Sequence, residues 1–251
     1  MKISIVTISF NQKKYLQDCI DSVLNQADCD VEYIVVDPGS TDGSRELIES
    51  YGDRIIKVFE KDDGPADGLN KGFKRATGDI YGFINSDDYL LPCALKRVKE
   101  FFLAHPRNAF VTGHGFTEDE YCNRAGIKPT TLTTQSMLHR SAVMFQQTTF
   151  FPSELFKKVG GFNPLNETCW DYEIFLDFLK IGAKHYVLAA DLAVFRLYQG
   201  SISGSGRLET KYFKELDQIF YKYVGHKRNK IDLLKTGYLR LKREFIRRFF
   251  A

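Results

Sequence analysis

The stretch Ile80-Tyr81-Gly82-Phe83-Ile84-Asn85-Ser86-Asp87-Asp88 decides the fold prediction for this chain. Its first five residues form a β-prone apolar run typical of a buried strand, and two carboxylates follow where that strand would leave the sheet. Adjacent acids at the edge of a crevice are costly unless a cation binds them, and hard divalent metals prefer oxygen ligands. The alternative is an Asx turn that closes the strand ahead of Pro92. The stretch therefore predicts a strand end that is either a plain turn or part of a metal site.

Strands and helices alternate around this stretch. Apolar runs at 3–8, 31–36, 55–59 and 80–84 have the composition of strands, and the segments between them have helical spacing or helix-start signals. Short connections between alternating strands and helices indicate a parallel sheet with right-handed crossovers. We therefore predict an α/β fold that binds its ligand at the carboxyl ends of the strands.

Composition excludes several classes of protein. The chain has 251 residues, 43% of them hydrophobic and 27% charged, which is typical of a globular protein with a large core. Its five cysteines are scattered without CxxC spacing, which argues against a disulfide framework or a zinc site and fits a reducing cytosol. The N-terminus does not resemble a signal peptide, and no apolar stretch approaches the ~20 residues of a spanning helix. We therefore expect a cytoplasmic protein.

Charge is distributed unevenly along the chain. The whole chain carries +3, whereas residues 207–251 contain 13 Lys and Arg against 5 Asp and Glu, so the body before them is acidic. The tail also has apolar positions at Tyr238, Leu241, Phe245, Ile246, Phe249 and Phe250, and basic positions at Arg240, Arg243, Arg247 and Arg248. Such a helix can lie on an anionic membrane at the inner face of the cell membrane. The rival interpretation is a helix packed on the body or on a second copy in a homo-oligomer. No nucleic-acid partner is expected, because no recognition motif accompanies the charge.

Acidic residues recur at the ends of the predicted strands. Asp37 follows the second strand, Asp67 opens a helix, and Asp88 would meet Asp37 at one edge of a parallel sheet. The phosphate-binding patterns GxxxxGK[ST] and GxGxxG are absent after the first strand, so carboxylates and a metal are the expected substitute. Asp37 and Asp67 also have plainer explanations, an Asx turn and helix-dipole complementation respectively.

Four motifs in order resemble the family 2 glycosyltransferases of the GT-A fold, over about residues 3–205. They are Val6-Thr7-Ile8-Ser9-Phe10-Asn11, then Tyr33 through Gly43, then Asp63 through Gly72 with Ala76-Thr77-Gly78-Asp79, and finally Asn85-Ser86-Asp87-Asp88. The resemblance implies a GT-A domain over 1–205, with a nucleotide-sugar-binding half at 1–104 and an acceptor half at 105–205. A Ser/Gly loop separates this domain from the basic amphipathic helical tail at 206–251.

The resemblance also implies a donor pocket. In it, Ser9, Phe10 and Asp37 would line the space for the base and ribose, and Asp67 and Asn70 would lie close by.

A metal site is implied beside that pocket. Asp88 would be the direct ligand of Mn²⁺ or Mg²⁺, and Asp87 would meet the donor sugar or ribose. Arg196 would contact the phosphates, because Tyr198 stands where relatives often have a histidine. The bound metal would neutralise charge on the departing nucleoside diphosphate.

The acceptor side is expected around Trp170-Asp171-Tyr172-Glu173. Inversion at a sugar carbon needs a base opposite the leaving group, and Asp171 falls on the family's acidic motif after Gly160-Gly161-Phe162. Glu173 is the less favoured base. From the residues alone, a helix cap beside core aromatics explains the segment as well. The segment Gln146-Gln147-Thr148-Thr149 resembles an acceptor-side segment, and a buried strand end explains it equally.

These observations predict a metal-dependent inverting glycosyltransferase. It would move a hexosyl or N-acetylhexosaminyl group from a nucleoside-diphosphate sugar, expected to be a UDP-sugar, to a glycan or lipid-linked acceptor in polysaccharide or lipopolysaccharide biosynthesis. Two alternatives remain: a sugar-nucleotide nucleotidyltransferase, which would need a Gly-rich basic loop after the first strand, and a catalytically inactive GT-A binding module.

Overall fold

A mixed β-sheet with helices on both faces forms the body of the protein. A computed structural model describes residues 1–105, 108–201 and 205–250. Residues 202–204 of the expected Ser/Gly loop at 200–206, and the tail side chains of Ile246, Arg247, Phe249 and Phe250, lie outside the described part. The strands are β1 Lys2–Ile8, β2 Asp30–Val36, β3 Ile56–Val58, β4 Ile80–Asn85, β5 Tyr89–Leu90, β6 Ala109–Glu118, β7 Arg124–Ile127, β8 Thr149–Pro152 and β9 Lys184–Arg196. The helices are α1 Lys13–Leu24, α2 Ser44–Ser50, α3 Pro65–Phe73, α4 Ala94–Ala104, α5 Thr134–Leu138, α6 Ser153–Val159, α7 Trp170–Lys180, α8 Glu209–Val224 and α9 Lys230–Phe250.

The first four strands form the parallel half of the sheet. The sheet order is β3-β2-β1-β4-β8-β6-β9-β5, and β7 pairs with β6. The β1 strand pairs in parallel with both β2 and β4, and β8 joins antiparallel to β4. The carboxyl ends of β1, β2 and β4 therefore lie side by side, as the α/β prediction required, and this part of the prediction is confirmed.

Both faces of the parallel half are buried, which explains why its strands are continuously apolar. One face packs against α1, α2 and α4, and the other packs against α3, α6, α7 and α8. The second face is rich in aromatic rings; Phe73 of α3 lies 4.8 Å from Tyr81 of β4, centroid to centroid. Gly72 lets α3 approach β1, because a Cβ there would lie 2.4 Å from Val6 Cγ1. This close contact sets the position of α3 on the sheet.

The second half differs from the prediction in two places. The strand-like piece at 142–145 is irregular and leads into a 3-10 turn at Gln146–Thr148. Its Val143 pairs only with Thr130, through that residue's backbone N–H and its hydroxyl, so no ladder extends along the piece. The expected separate runs at 185–188 and 193–195 are instead one strand, β9, whose pairing with β6 shifts register around His114. An irregular register lets one strand cross a break in the apolar pattern.

The tail begins with a helix that belongs to the core. Leu216, Ile219 and Phe220 of α8 are at most 4% exposed and join the aromatic-rich cluster. The following helix, α9, leaves most of its apolar residues in solvent. Across the part of the chain that the structure describes, no helix combines the length and the apolar character needed to cross a membrane.

Candidate active site

A cavity of ≈ 1020 Å³ opens at the carboxyl ends of the parallel strands. On the side of the parallel strands its wall includes Ser9, Phe10, Pro38, Lys61, Asp62, Asn85, Ser86 and Asp87. On the other side it includes Gln146, Gln147, Thr168, Trp170, Asp171, Arg207 and Tyr212. The topology thus brings residues from both halves of the chain to one space, where the sequence placed the ligand.

The acid pair after β4 is divided between the cavity wall and the interior. Asp87 borders the cavity, whereas Asp88 is fully buried. The Asp88 carboxylate accepts a hydrogen bond at Oδ1 from the Arg196 backbone N–H at 2.9 Å and another at Oδ2 from Gln147 Nε2 at 3.0 Å. In this arrangement Asp87 presents its carboxylate to the cavity and Asp88 lies behind it. The resemblance implied that Asp88 is the direct metal ligand, and this assignment remains a prediction.

The electrostatics of the pair suit a bound cation. Burial, and then the charge of Asp87, raise the pKa of Asp88 well above its usual range. Burial also raises the pKa of Asp87, against the hydrogen bond from the Tyr198 hydroxyl. Two carboxylates that resist ionising together would be relieved by a divalent ion with oxygen ligands. Among the described residues no group of three or more His, Cys, Asp or Glu could hold a metal alone, so further ligands would come from a bound molecule.

Arg196 does not face the cavity, contrary to the expectation that it contacts phosphate. Its guanidinium lies 2.7 Å from Asp18 Oδ2, and its Nε lies 3.7 Å from Glu118 Oε1. The side chain also stacks over Tyr89, with Cζ 4.5 Å from the ring centroid. Because these contacts occupy the guanidinium behind the acid pair, the Arg196 side chain stabilises the floor of the site and its backbone N–H holds Asp88 in place.

Tyr198 lies against the acid pair. Its hydroxyl is 3.1 Å from Asp87 Oδ2 and 3.1 Å from Gln12 Oε1. Burial, followed by the charge of Asp87, raises the pKa of Tyr198, so the phenol stays protonated and donates. A neutral phenol is a poor metal ligand, which limits Tyr198 to orienting the Asp87 carboxylate.

An unused acceptor lies at the end of β2, next to Pro38, which borders the cavity although Asp37 itself does not. Asp37 is fully buried, and its Oδ1 accepts from the backbone N–H groups of Gly39 and Ser40 at 2.9 and 2.8 Å. Its Oδ2 and the Ser9 hydroxyl are buried without a hydrogen-bond partner among the described atoms. Beside them Phe10 is 60% exposed and borders the cavity. Buried acceptors without partners are unfavourable, and a ligand N–H would satisfy Asp37 while Phe10 offered its ring face.

Asp67 and Asn70, expected near the nucleotide, have other partners. The Asp67 carboxylate pairs with Lys71 at 2.6 Å within α3. The Asn70 amide makes two bonds to Phe162: its Nδ2 donates to the carbonyl at 2.8 Å, and its Oδ1 accepts from the backbone N–H at 2.9 Å. Neither residue borders the cavity, so the structure does not place them in the donor pocket. Asp62, at the start of the same loop, does border it.

Asp171 is the acid on the second-half wall of the cavity. It lies in the first turn of α7, and its Oδ1 accepts from the Tyr172 backbone N–H at 2.7 Å. Burial raises its pKa to about 6. A carboxylate with that pKa, open to a cavity on one side, is suited to accept a proton near neutral pH.

Glu173 and Trp170 take structural positions. The Glu173 carboxylate is 4% exposed and pairs with Lys222 at 2.7 Å, so it cannot compete with Asp171 for a ligand proton. Trp170 is 9% exposed and packs between Phe83 and Phe162, each ring centroid 5.4 Å away. Gln146 donates to the Phe83 carbonyl at 2.8 Å. The buried interpretation of the Gln146-Gln147 segment therefore applies, although both amides border the cavity.

Reasoning from sequence missed several cavity residues, among them Lys61, Asp62, Arg207 and Tyr212. Asp62 stands two residues before the positive-φ Gly64, in a loop whose motif was recognised only from Asp63 onward. Arg207 and Tyr212 were counted with the tail because they follow the Ser/Gly loop. Only the packing of α8 on the body brings them to the cavity wall.

Comparisons with known proteins agree with this arrangement. Residues 4–160 match the model of the family described as Glycosyl transferase family 2. An uncharacterized glycosyltransferase of Haemophilus influenzae is 31% identical over 245 residues, which cover 94% of this chain and 92% of that protein. The putative teichuronic acid biosynthesis glycosyltransferase TuaG of Bacillus subtilis is 30% identical over 213 residues, covering 81% of this chain and 82% of TuaG.

Other relatives are longer than this chain. An uncharacterized glycosyltransferase of Nostoc is 40% identical over 106 residues, which are 41% of this chain and 33% of that protein. The chain likewise spans 60% of an uncharacterized glycosyltransferase of Rickettsia typhi.

Solved structures share the fold. Staphylococcus aureus TarS residues 1–349 in complex with UDP-GlcNAc gives a TM-score of 0.73 at 19% identity, over 98% of this chain and 73% of that chain. A mannosyltransferase of Pyrobaculum calidifontis in complex with GDP-Man and Mn²⁺ gives 0.66 at 19% identity, over 97% and 71%. At this level of identity the likeness establishes the fold alone.

Proposed function

The chain belongs to glycosyl transferase family 2, and from that premise we propose that it is an inverting glycosyltransferase that uses a UDP-sugar and a divalent cation. The observation that carries the proposal is one cavity with Asp87 on one wall, Asp88 buried behind it, and an acid whose pKa is about 6 on another wall. The first arrangement suits a metal-bound diphosphate, and the second suits a base for an acceptor hydroxyl. A binding module without activity would have no need of the second.

The donor would bind along the parallel half of the sheet. The free Oδ2 of Asp37 would accept an N–H of the base, and Phe10 would cover the ring. Lys61 and Arg207 are the cations on the cavity wall that could contact the phosphates in place of Arg196. The UDP- and GDP-sugar complexes of the structural neighbours support a nucleotide-sugar donor for this cavity.

The metal would be Mn²⁺ or Mg²⁺, held by the pair Asp87 and Asp88. When bound, such an ion stabilises charge on the departing diphosphate as a Lewis acid. Asp87 already faces the cavity, and Asp88 would join it if the Gln147 amide moved aside. Tyr198 and the Arg196 backbone keep the two carboxylates oriented.

The transfer step is carried by Asp171. Its carboxylate takes the proton of the acceptor hydroxyl, whose oxygen attacks the anomeric carbon as the bond from that carbon to the diphosphate oxygen breaks. The electron pair of the broken bond stays on the diphosphate oxygen, so negative charge develops there, which a cation stabilises. Asp171 remains protonated until solvent removes the proton.

We propose a glycan or a lipid-linked glycan as the acceptor, which receives a hexosyl or N-acetylhexosaminyl group in polysaccharide or lipopolysaccharide assembly. The name of TuaG, a relative over most of its length, supports a cell-envelope polysaccharide. A lipid-linked acceptor would place the reaction at the cytoplasmic face of a membrane.

The decisive experiment is a calorimetric titration with UDP in the presence and absence of Mn²⁺, with GDP as the comparison nucleotide. We expect metal-dependent binding of UDP. Equal UDP binding with and without Mn²⁺ would contradict the proposed metal dependence, and tighter binding of GDP would contradict the proposed UDP-sugar donor.

A second experiment separates catalysis from binding. Asp171→Asn should bind UDP like the native chain and lose nearly all transfer activity, whereas Asp53→Asn, an exposed acid in a short 3-10 helix, should retain both. Loss of both functions in Asp171→Asn would show that this residue is not the base.

A further inference from the structure

We propose that α9 is a membrane-docking helix that binds anionic lipid through a stripe of apolar residues flanked by lysines. The stripe consists of Ile231, Leu234, Tyr238 and Leu241, spaced by three, four and three residues along the helix. Their exposures are 74%, 74%, 63% and 73%, so none of the four is covered by the body. Apolar side chains at this spacing share one face of a helix.

The opposite face of α9 is attached to the body, which fixes how the helix is turned. Arg240 Nε donates to the carbonyl of Arg140 at 3.1 Å, and Arg243 donates to the carbonyl of Ser141 at 3.1 Å. Thr236 Oγ1 lies 3.3 Å from His139 Nδ1. Because these contacts occupy one side, the apolar stripe faces away from the protein rather than rotating inward.

Lysines border the stripe on both sides. At 100° per residue, Lys235 and Lys242 lie on one side of the stripe and Lys230 lies on the other. Within the described residues none of the three forms an ion pair, whereas the acids of the helix are Asp232 and Glu244 only. An apolar stripe between unpaired lysines suits the interface of an anionic bilayer, because the apolar side chains can enter the acyl region while the lysines contact anionic headgroups.

A second copy of the chain is a poorer occupant. Two such helices packed along the stripe would bring six lysines, three from each copy, to the borders of one interface. Like charges at those positions oppose pairing, and the stripe spans only about three turns. The charge pattern therefore favours lipid over self-association.

The docking surface is connected to the cavity through α8. Tyr212 borders the cavity, and the neighbouring Phe213 ring lies 5.3 Å from the guanidinium of Arg140, the residue whose carbonyl holds α9. A helix held on the membrane would thus keep the acceptor side of the cavity near the lipid surface. The inference extends the proposed function to the place where the enzyme works, but lipid binding can be measured without donor or acceptor.

The experiment is pelleting of the full chain with sucrose-loaded vesicles of phosphatidylcholine alone or with about one third phosphatidylglycerol. We expect binding that is roughly tenfold or more stronger with phosphatidylglycerol and is weakened by salt. The variant Leu234→Ser with Leu241→Ser should lose most of it. The matched control, Leu103→Ser with Leu165→Ser, changes two leucines of similar exposure, 69% and 87%, and should bind like the native chain.

Two results would overturn the proposal. One is equal vesicle binding by the Leu234→Ser, Leu241→Ser variant. The other is a native chain that does not bind vesicles but is a dimer by light scattering, with the variant a monomer, which would make a second copy the occupant. UDP titration of the same variant keeps the two proposals separate: unchanged UDP affinity with lost vesicle binding is the expected result. If the chain binds vesicles but does not bind UDP, the proposed function is wrong and the proposal of a docking surface still stands.

Discussion

At the scale of single residues, environment rather than residue type divides the roles of the acids. Asp171 and Glu173 are two positions apart on α7, yet Glu173 is paired with Lys222, whereas Asp171 has no ion-pair partner among the described residues and borders the cavity. Desolvation without a compensating charge raises a carboxyl pKa, so Asp171 is the acid suited to the proposed role of base, and Glu173 is held by its ion pair.

The pKa of Asp171 predicts the pH dependence of transfer. The base must be ionised, so kcat/KM should be constant well above pH 6 and fall about tenfold per pH unit below it. The measurement is a profile of log kcat/KM against pH with a saturating cation. A native profile that is flat down to pH 5 would falsify the assignment. Asp171→Asn should lower kcat by roughly 10²–10⁴-fold.

The two acids of the pair should respond differently to substitution. Asp88→Asn keeps the shape of the side chain and removes the buried charge, so it should lower Mn²⁺-dependent UDP affinity by about 10- to 100-fold while leaving metal-free binding unchanged. Calorimetry of Asp87→Asn alongside it identifies the dominant ligand. If only the Asp87 variant loses metal-dependent binding, the assignment of Asp88 as the direct ligand is wrong.

At the scale of elements, α3 joins two halves of the fold, and it borders the cavity only through its first residue, Pro65. Asn70 joins it to the segment that precedes α7 through both backbone groups of Phe162. Gly161 permits this approach: it has φ +87°, and a Cβ there would lie 2.7 Å from Asn70 Oδ1. In this chain, Asn70 of the Asp63–Gly72 motif therefore joins two halves of the fold.

Substitution of Asn70 tests this role. Asn70→Ala should lower the free energy of unfolding by about 2 kcal/mol, since two backbone groups of the buried Phe162 lose their partner. Asp67→Ala, which removes a partly exposed pair within the helix, should cost less than about 1 kcal/mol. Urea unfolding gives both values. If Asp67→Ala is stable but binds UDP more weakly, Asp67 contributes to the donor pocket after all.

At the scale of the whole molecule, the tail is two different structures. The α8 helix completes the core and brings Arg207 and Tyr212 to the cavity, whereas α9 is attached by a few hydrogen bonds and faces outward. The division of the chain near residue 205 therefore marks a change in sequence character, and the packed body continues through α8.

Phe220 is the residue that tests this packing. It is 1% exposed and lies under the Arg228 guanidinium at 4.1 Å, so Phe220→Ala should destabilise the protein by about 3–5 kcal/mol. The neighbouring Tyr221 is 55% exposed, and Tyr221→Ala should change stability by only about 0.5 kcal/mol. Thermal unfolding compares the two, and similar small effects in both would show that α8 is dispensable to the core.

The sequence determined the parallel half of the sheet and the place of the site. Continuous apolar runs such as Ile80–Ile84 must be buried on both faces, alternation with helices makes the strands parallel, and acids that follow such strands must meet at one edge. These are local or near-local constraints, so they can be read residue by residue. The sequence predicted the elements of the second half less accurately. The conformation at 142–145 and the continuity of β9 depend on partners that are distant in the chain.

Only the tertiary structure decided which polar groups face the ligand. In the folded chain the Arg196 guanidinium pairs with Asp18 and Glu118, and Asp88 is buried behind Asp87. Asn70 binds the backbone of Phe162, and Arg207, from beyond the Ser/Gly loop, borders the cavity. The physical reason is that a charged or amide group goes to whichever partner packing brings within hydrogen-bond distance, and those partners come from remote parts of the chain. Sequence spacing fixes the strand end on which a carboxylate stands, and packing fixes the direction in which it points.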